Sequence, residues 1–153
     1  MNNFIAAIIS SGFGSGYAPK APGTIGSIAA VVFWVVLAEC GAFPSWKWQL
    51  AAAVVVIVVG LLAANTSLEV EGGEDPQWIV VDEWAGVFVA LIAADPTNLG
   101  HVFFALIGFR LFDIVKPGPV AWVEDLPGTW GVMMDDVVAG IFTFVALAAI
   151  RCV

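Results

Sequence analysis

Long apolar runs alternate with short polar breaks along this chain. Five runs stand out, about Thr24 to Ala38, Trp48 to Ala64, Trp78 to Ala94, Leu99 to Val115 and Val132 to Ile150. Each approaches the roughly 20 residues that a helix needs to cross hydrocarbon about 30 Å thick. The pattern therefore predicts an all-α fold, a polytopic membrane bundle of about five embedded helices.

The breaks are as informative as the runs. In GFGSGYAPKAPGTIGS, Gly12 to Ser27, glycines and prolines are too dense for regular helix until Pro22-Gly23-Thr24, and Thr24 is the expected N-cap of the first span. Before that loop, Phe4, Ile5, Ile8 and Ile9 recur at helical spacing and predict a short N-terminal helix lying at the interface. Glu39 to Lys47 reads as a polar turn, with Trp46 and Trp48 placed for an aromatic belt. Asn65 to Gln77 carries Glu69, Glu71, Glu74 and Asp75 among glycines and reads as a solvated loop, as does the stretch with Trp122, Glu124, Asp125 and Gly128.

Composition agrees with the pattern. Of 153 residues, 61% are hydrophobic and 12% charged, whereas soluble domains carry about 25% charged residues; the mean hydropathy is +0.98. Several spans already use most of the length, so a single integral-membrane domain over 1–153 is expected. No basic region precedes the first apolar stretch, and no cleaved leader is expected. A net charge of −8 argues against a nucleic-acid partner.

Where the charge falls says more than its sum. If all five runs cross, 11 of the 13 acidic residues (69, 71, 74, 75, 82, 83, 113, 124, 125, 135 and 136) share one face, and only Glu39 and Asp95 lie opposite. Lys20, Arg110 and Lys116 fall on the acidic face, Lys47 and Arg151 on the other. That split leaves orientation open, because the rule that sets topology counts only basic residues near span ends.

Five acids on this face, Asp82, Glu83, Asp113, Asp135 and Asp136, sit at the ends of three predicted helices. A charged side chain inside hydrocarbon costs roughly 2.5–3.5 kcal/mol on insertion scales, so such residues mark function or tight pairing. Crowded carboxylates must take up protons or share a cation, and an all-oxygen set favours Mg²⁺, with Mn²⁺ or Ca²⁺ as alternatives. Zinc is disfavoured, because His101, Cys40 and Cys152 all fall on the opposite face. Arg110, Asp113 and Lys116 follow one another at three-residue spacing on one side of the fourth helix, a setting for a phosphate ester beside a metal. An ion-pair network without ligand is the plainer reading, but five acids exceed what two cations neutralise. The glycine-rich loop, with Lys20, Thr24 and Ser27, offers free N–H groups to an anion, yet it lacks the ending of a nucleotide-binding P-loop.

GFGSGYAPKAPGTIGS, IVVDEWAG, FRLFDIVKPGPV and GVMMDDVVAG, in this order and spacing, resemble the motifs of the phosphatidylglycerophosphatase A family of bacterial inner-membrane lipid phosphatases, over about residues 12 to 141. The resemblance implies Mg²⁺-dependent hydrolysis of phosphatidylglycerophosphate to phosphatidylglycerol and phosphate at the cytoplasmic face. It places the family's acids on Asp82, Glu83, Asp113, Asp135 and Asp136, and the metal is expected on some of Asp82, Glu83, Asp135 and Asp136. Its basic pair falls on Arg110 and Lys116, and its loop on Pro22, Gly23, Thr24, Gly26 and Ser27. Lys20, Gly23, Thr24, Ser27, Arg110 and Lys116 are thus the expected substrate contacts. Gly118 replaces an aromatic usual in the family, and Gly128-Thr129-Trp130-Gly131 replaces a glycine pair. Two routes stay open, metal-assisted attack by water or direct attack by an Asp to give an acyl phosphate. A rival reading from another class, an ion or solute transporter, would use the same acids along a path through the membrane.

Overall fold

The computed structural model describes residues 1–72 and 76–152 and is all-helical within them. Seven helices follow in order: α1 (Asn3–Ser10), α2 (Pro22–Glu39), α3 (Trp46–Val70), α4 (Val81–Ala90), α5 (Leu99–Val115), α6 (Pro119–Glu124) and α7 (Thr129–Arg151). Short 3₁₀ turns at Ser15–Tyr17 and Leu91–Ala93 complete the set.

The expectation of about five membrane-embedded helices is not met by length. Three helices are long and apolar enough to cross, α2 with 18 residues, α3 with 25 and α7 with 23. The third run, expected to continue to Ala94, is a 10-residue helix, about 15 Å long at 1.5 Å per residue. It ends in the 3₁₀ turn at Leu91–Ala93. α5 has 17 residues and spans about 25 Å, just under the hydrocarbon thickness.

Other boundaries shift for identifiable reasons. α3 continues through Asn65 to Val70, where a loop was expected, because Ala63, Ala64, Ser67 and Leu68 keep a buried face in helical register. Glu74 and Asp75 of that expected loop lie outside the described residues. Thr24 is not the N-cap of α2: Ala21 caps the helix in a left-handed conformation, and Pro22 takes the first helical position, where its missing N–H costs nothing. The loop around Trp122 contains α6, likewise started by a proline.

α4 is the hub of the bundle. Every residue from Trp84 to Ala90 is buried, and α2, α3, α5 and α7 all contact it. Trp34, Phe88, Phe109, Leu91, Met133 and Leu147 are the largest fully buried apolar side chains. α1 anchors the entry to α4. Its Ser10 carbonyl accepts from the Val80 N–H at 2.8 Å, and its Ser10 hydroxyl bonds the Ser67 hydroxyl of α3 at 2.9 Å. The opposite side of α1 leaves Phe4 and Ile5 exposed, as an interfacial helix requires.

The end of the bundle that gathers the starts of α2, α4 and α7 is the acidic end. At the other, Arg151 donates to the Ala93 carbonyl and Gln49 to the Ala94 carbonyl at 3.3 Å, tying the end of α7 and the start of α3 to the turn after α4.

Candidate active site

Two glycines set the site. A Cβ on Gly140 of α7 would overlap the Gly86 carbonyl of α4, and a Cβ on Gly86 would stand 2.6 Å from the Asp136 carbonyl and strike the Phe109 ring. The two backbones therefore touch, a separation only small residues permit. One turn toward the acidic end from this crossing stand Asp82 and Glu83 on α4 and Asp136 on α7. Helix contact thus delivers carboxylates from distant parts of the chain to one point.

The result is compact. One oxygen from each of Asp82, Glu83 and Asp136 lies within 4.8 Å of the others. Both acid pairs are built alike: Asp82 Oδ1 accepts from the Glu83 N–H at 3.0 Å, and Asp135 Oδ1 from the Asp136 N–H at 2.9 Å. Those bonds hold the first carboxylate of each pair against its own backbone. Glu83 Oε2 is buried without a hydrogen-bond partner, a costly state for a charge. Three hard oxygen donors beside an unmatched buried carboxylate oxygen fit a divalent cation of the Mg²⁺ type.

α5 supplies the cations. Arg110 Nη1 lies 2.6 Å from Asp113 Oδ2 and 3.9 Å from Glu83 Oε1. The approach to Asp113 is one of charge without hydrogen-bond alignment, and Arg110 Nε is buried with no hydrogen-bond partner. Lys116 ends α5 in a left-handed conformation. Its ammonium bonds Asp135 Oδ2 at 2.8 Å and Glu124 Oε1 at 2.7 Å. Burial pulls the Lys116 pKa down, but the bonds to Asp135 and Glu124 outweigh it and hold the ammonium above its usual range.

A cleft of about 410 Å³ opens between these groups, lined by Asp82, Glu83, Asp113, Lys116, Asp135 and Asp136 and walled by Leu68, Leu126 and Val132. All five expected acids therefore meet in one place with Lys116, and Arg110 stands behind Glu83 and Asp113. Asp135, expected beside the metal, is turned to Lys116 and falls outside the compact carboxylate triad.

The loop residues reach the site unequally. Gly23 abuts it, since a Cβ there would overlap Glu83 Oε1 and stand 3.5 Å from Arg110 Nη1. Ser27 is buried and donates to the Gly23 carbonyl at 2.7 Å, which steadies the first turn of α2 from beneath. Lys20 is exposed and Thr24 half-buried, and neither lines the cleft. Sequence reasoning passed over Glu124, Leu126 and Gly131, all of which do line it. Gly131 was the available signal, lying one turn before Asp135 in the last motif.

His101 lies at the start of α5, away from the cleft, where its Nδ1 accepts from the Asp95 N–H at 3.3 Å. Cys40 and Cys152 are free and exposed at the ends of α2 and α7.

A bundle with three membrane-length helices, which gathers carboxylates and a lysine into one cleft with an arginine behind them, defines a membrane-associated phosphatase. The family is equally plain: the model for phosphatidylglycerophosphatase A matches residues 8–151, and the chain belongs to that family. Among its relatives, phosphatidylglycerophosphatase A of Escherichia coli is 34% identical over 89% of this chain and 77% of its own length. The Haemophilus influenzae protein of the same name is 32% identical over 94% and 87%. A Bacteroides thetaiotaomicron protein, provisionally named phosphatidylinositol-3-phosphatase, is 43% identical over 99% of this chain and 96% of its own. No solved structure matches the chain.

Proposed function

We propose that this protein removes the terminal phosphate of phosphatidylglycerophosphate, yielding phosphatidylglycerol and inorganic phosphate, at the cytoplasmic face of a bacterial inner membrane. The observation that carries this reading is the carboxylate triad of Asp82, Glu83 and Asp136 set beside an arginine paired with Asp113. Asp82, Glu83 and Asp136 would hold Mg²⁺, which when bound supplies a Lewis acid for a phosphoryl oxygen and eases deprotonation of water.

The remaining steps belong to the chain. Arg110, behind Glu83 and Asp113, adds positive charge at the edge of the cleft as negative charge moves onto the leaving group. Asp113, which lines the cleft, pairs with the guanidinium and fixes its direction before substrate arrives. The Lys116 ammonium keeps one N–H beyond those given to Asp135 and Glu124, and that hydrogen is available to the phosphate. A carboxylate of the cleft takes the proton of the attacking water. Leu68, Leu126 and Val132 meet the apolar part of the lipid and limit water access.

The identity of the Bacteroides relative supports a second substrate, phosphatidylinositol 3-phosphate. Both lipids present a phosphomonoester on a hydroxylated headgroup, and one assay separates them. Purified protein in detergent should release phosphate from phosphatidylglycerophosphate with Mg²⁺, stop on addition of EDTA and recover with excess Mg²⁺. Asp136→Asn should lower kcat by about 10³-fold, the scale of losing a centre of transition-state charge stabilisation. Full activity of that variant would remove Asp136 from the chemistry. Faster turnover of phosphatidylinositol 3-phosphate would transfer the reading to that lipid. The gathering of acids at one end of the bundle, rather than along its length, is the arrangement of a surface reaction and not of a transport path.

A further inference from the structure

We infer that Glu124, carried by the strap between α5 and α7, is a positioning residue that aims the Lys116 ammonium at the phosphate of the substrate. The inference rests on the phosphatase reading above and concerns the same cleft.

Lysine is a flexible point charge on a four-carbon stem, and fixing it costs rotamer entropy. Lys116 is nevertheless held on two sides. Asp135, from α7, grips it at 2.8 Å with a side chain only 9% exposed. Glu124 grips it at 2.7 Å from the opposite element, with a side chain 54% exposed. With Asp135 alone the ammonium would swing about a single contact. With both, two of its three hydrogens have fixed directions, and the third is fixed by tetrahedral geometry.

The strap is built to bring Glu124 there. It leaves α5 through Lys116 and Gly118, both at positive φ, and enters α7 through Gly128, also at positive φ. It then lies on the first turn of α7 at Gly131, where a Cβ would overlap the Leu126 carbonyl and stand 2.7 Å from the Glu124 carbonyl. The backbone of Glu124 is therefore seated by the same helix that carries Asp135 and Asp136. Among the described residues, the Glu124–Lys116 bond is the side-chain hydrogen bond that ties α6 to another helix. An exposed ion pair adds little to stability, so its two-sided grip on a cleft lysine points to aim rather than to folding.

The test compares Glu124→Ala and Glu124→Gln with the wild type in detergent micelles containing phosphatidylglycerophosphate and Mg²⁺. Glu124→Ala should raise KM about tenfold and leave kcat within about threefold, the signature of lost binding shared by ground and transition states. Glu124→Gln keeps an acceptor at the same place and should recover most of that loss. In a Lys116→Ala background, Glu124→Ala should add almost nothing, because both changes act through one ammonium. Binding of inorganic phosphate, followed by calorimetry on the same proteins, should weaken in parallel without any turnover. A fall in KM for Glu124→Ala, unchanged kinetics, or additive losses in the double variant would each overturn the inference. If the wild type binds phosphate and loses that binding with Glu124→Ala but hydrolyses neither lipid, the substrate reading fails and the positioning role stands.

Discussion

The two ends of this bundle treat charged groups in opposite ways. At the end away from the cleft, Asp95, Asn98 and Arg151 are matched locally. Asn98 caps α5 by accepting from Gly100 and His101 N–H groups, Asp95 Oδ1 takes both the Thr97 N–H at 2.9 Å and its hydroxyl at 2.8 Å, and Arg151 closes on the Ala93 carbonyl. At the acidic end Glu83 Oε2 and Arg110 Nε are buried with no hydrogen-bond partner, and Arg110 Nη1 meets Asp113 Oδ2 by charge alone. Folding alone would favour the first arrangement everywhere, because an unmatched buried polar atom costs about 1–3 kcal/mol. The indole nitrogens of Trp34, toward the far end, and of Trp84 are also buried without a partner, but among the described residues the unmatched charged groups stand at the acidic end, where a ligand can meet them.

The sharpest way to break this contrast is to separate the two helices that create it. Gly140→Leu forces α7 away from α4 where their backbones touch, and activity should fall by at least about 10²-fold, the cost of misplacing reacting groups by an ångström. Phosphate release from purified protein, with circular dichroism to confirm retained helix, measures it. Near-normal turnover would mean that the crossing does not set the carboxylate spacing.

A smaller loss should follow Arg110→Lys. The charge survives, but the planar fork that reaches past Asp113 does not, and kcat/KM should drop about tenfold, or ~1.4 kcal/mol. Equal activity in the two proteins would show that only the charge matters.

The far end should be nearly silent in catalysis. The Thr97 N–H and hydroxyl hold the Asp95 carboxyl below its usual range. With a depressed folded pKa, the associated stability is present above the unfolded value and lost as pH falls through the folded one. Thr97→Ala should therefore raise the Asp95 pKa in a carboxyl NMR titration and lower thermal stability slightly at neutral pH but not in strong acid. Its kcat should match the wild type. A changed kcat would dissolve the division between the ends.

Much of the acidic end could be read from the chain. Charge inside an apolar run is expensive, so Asp82, Glu83, Asp135 and Asp136 announced themselves, and helical spacing placed Arg110, Asp113 and Lys116 on one side of α5. Boundaries were less legible. The run from Trp78 to Ala94 is apolar because α4 is buried by other helices, not because lipid surrounds it, and hydropathy does not distinguish those environments. Glu124 was hidden for a different reason. It sits in a polar stretch that resembles any solvated loop, and only the seat at Gly131 brings it to the cleft. Asp135 shows the limit of adjacency: it neighbours Asp136 in sequence, yet consecutive helical positions point about 100° apart, and its partner is Lys116.

The contact between Gly86 and Gly140 makes the width of the carboxylate nest a property of the main chain. Helix packing sets where the main chain carries Asp82, Glu83 and Asp136, so an engineer wanting a much larger nest would have to re-pitch two helices. Lengthening one acid would not suffice. Selectivity for ion size would in that sense be written in the absence of two methyl groups.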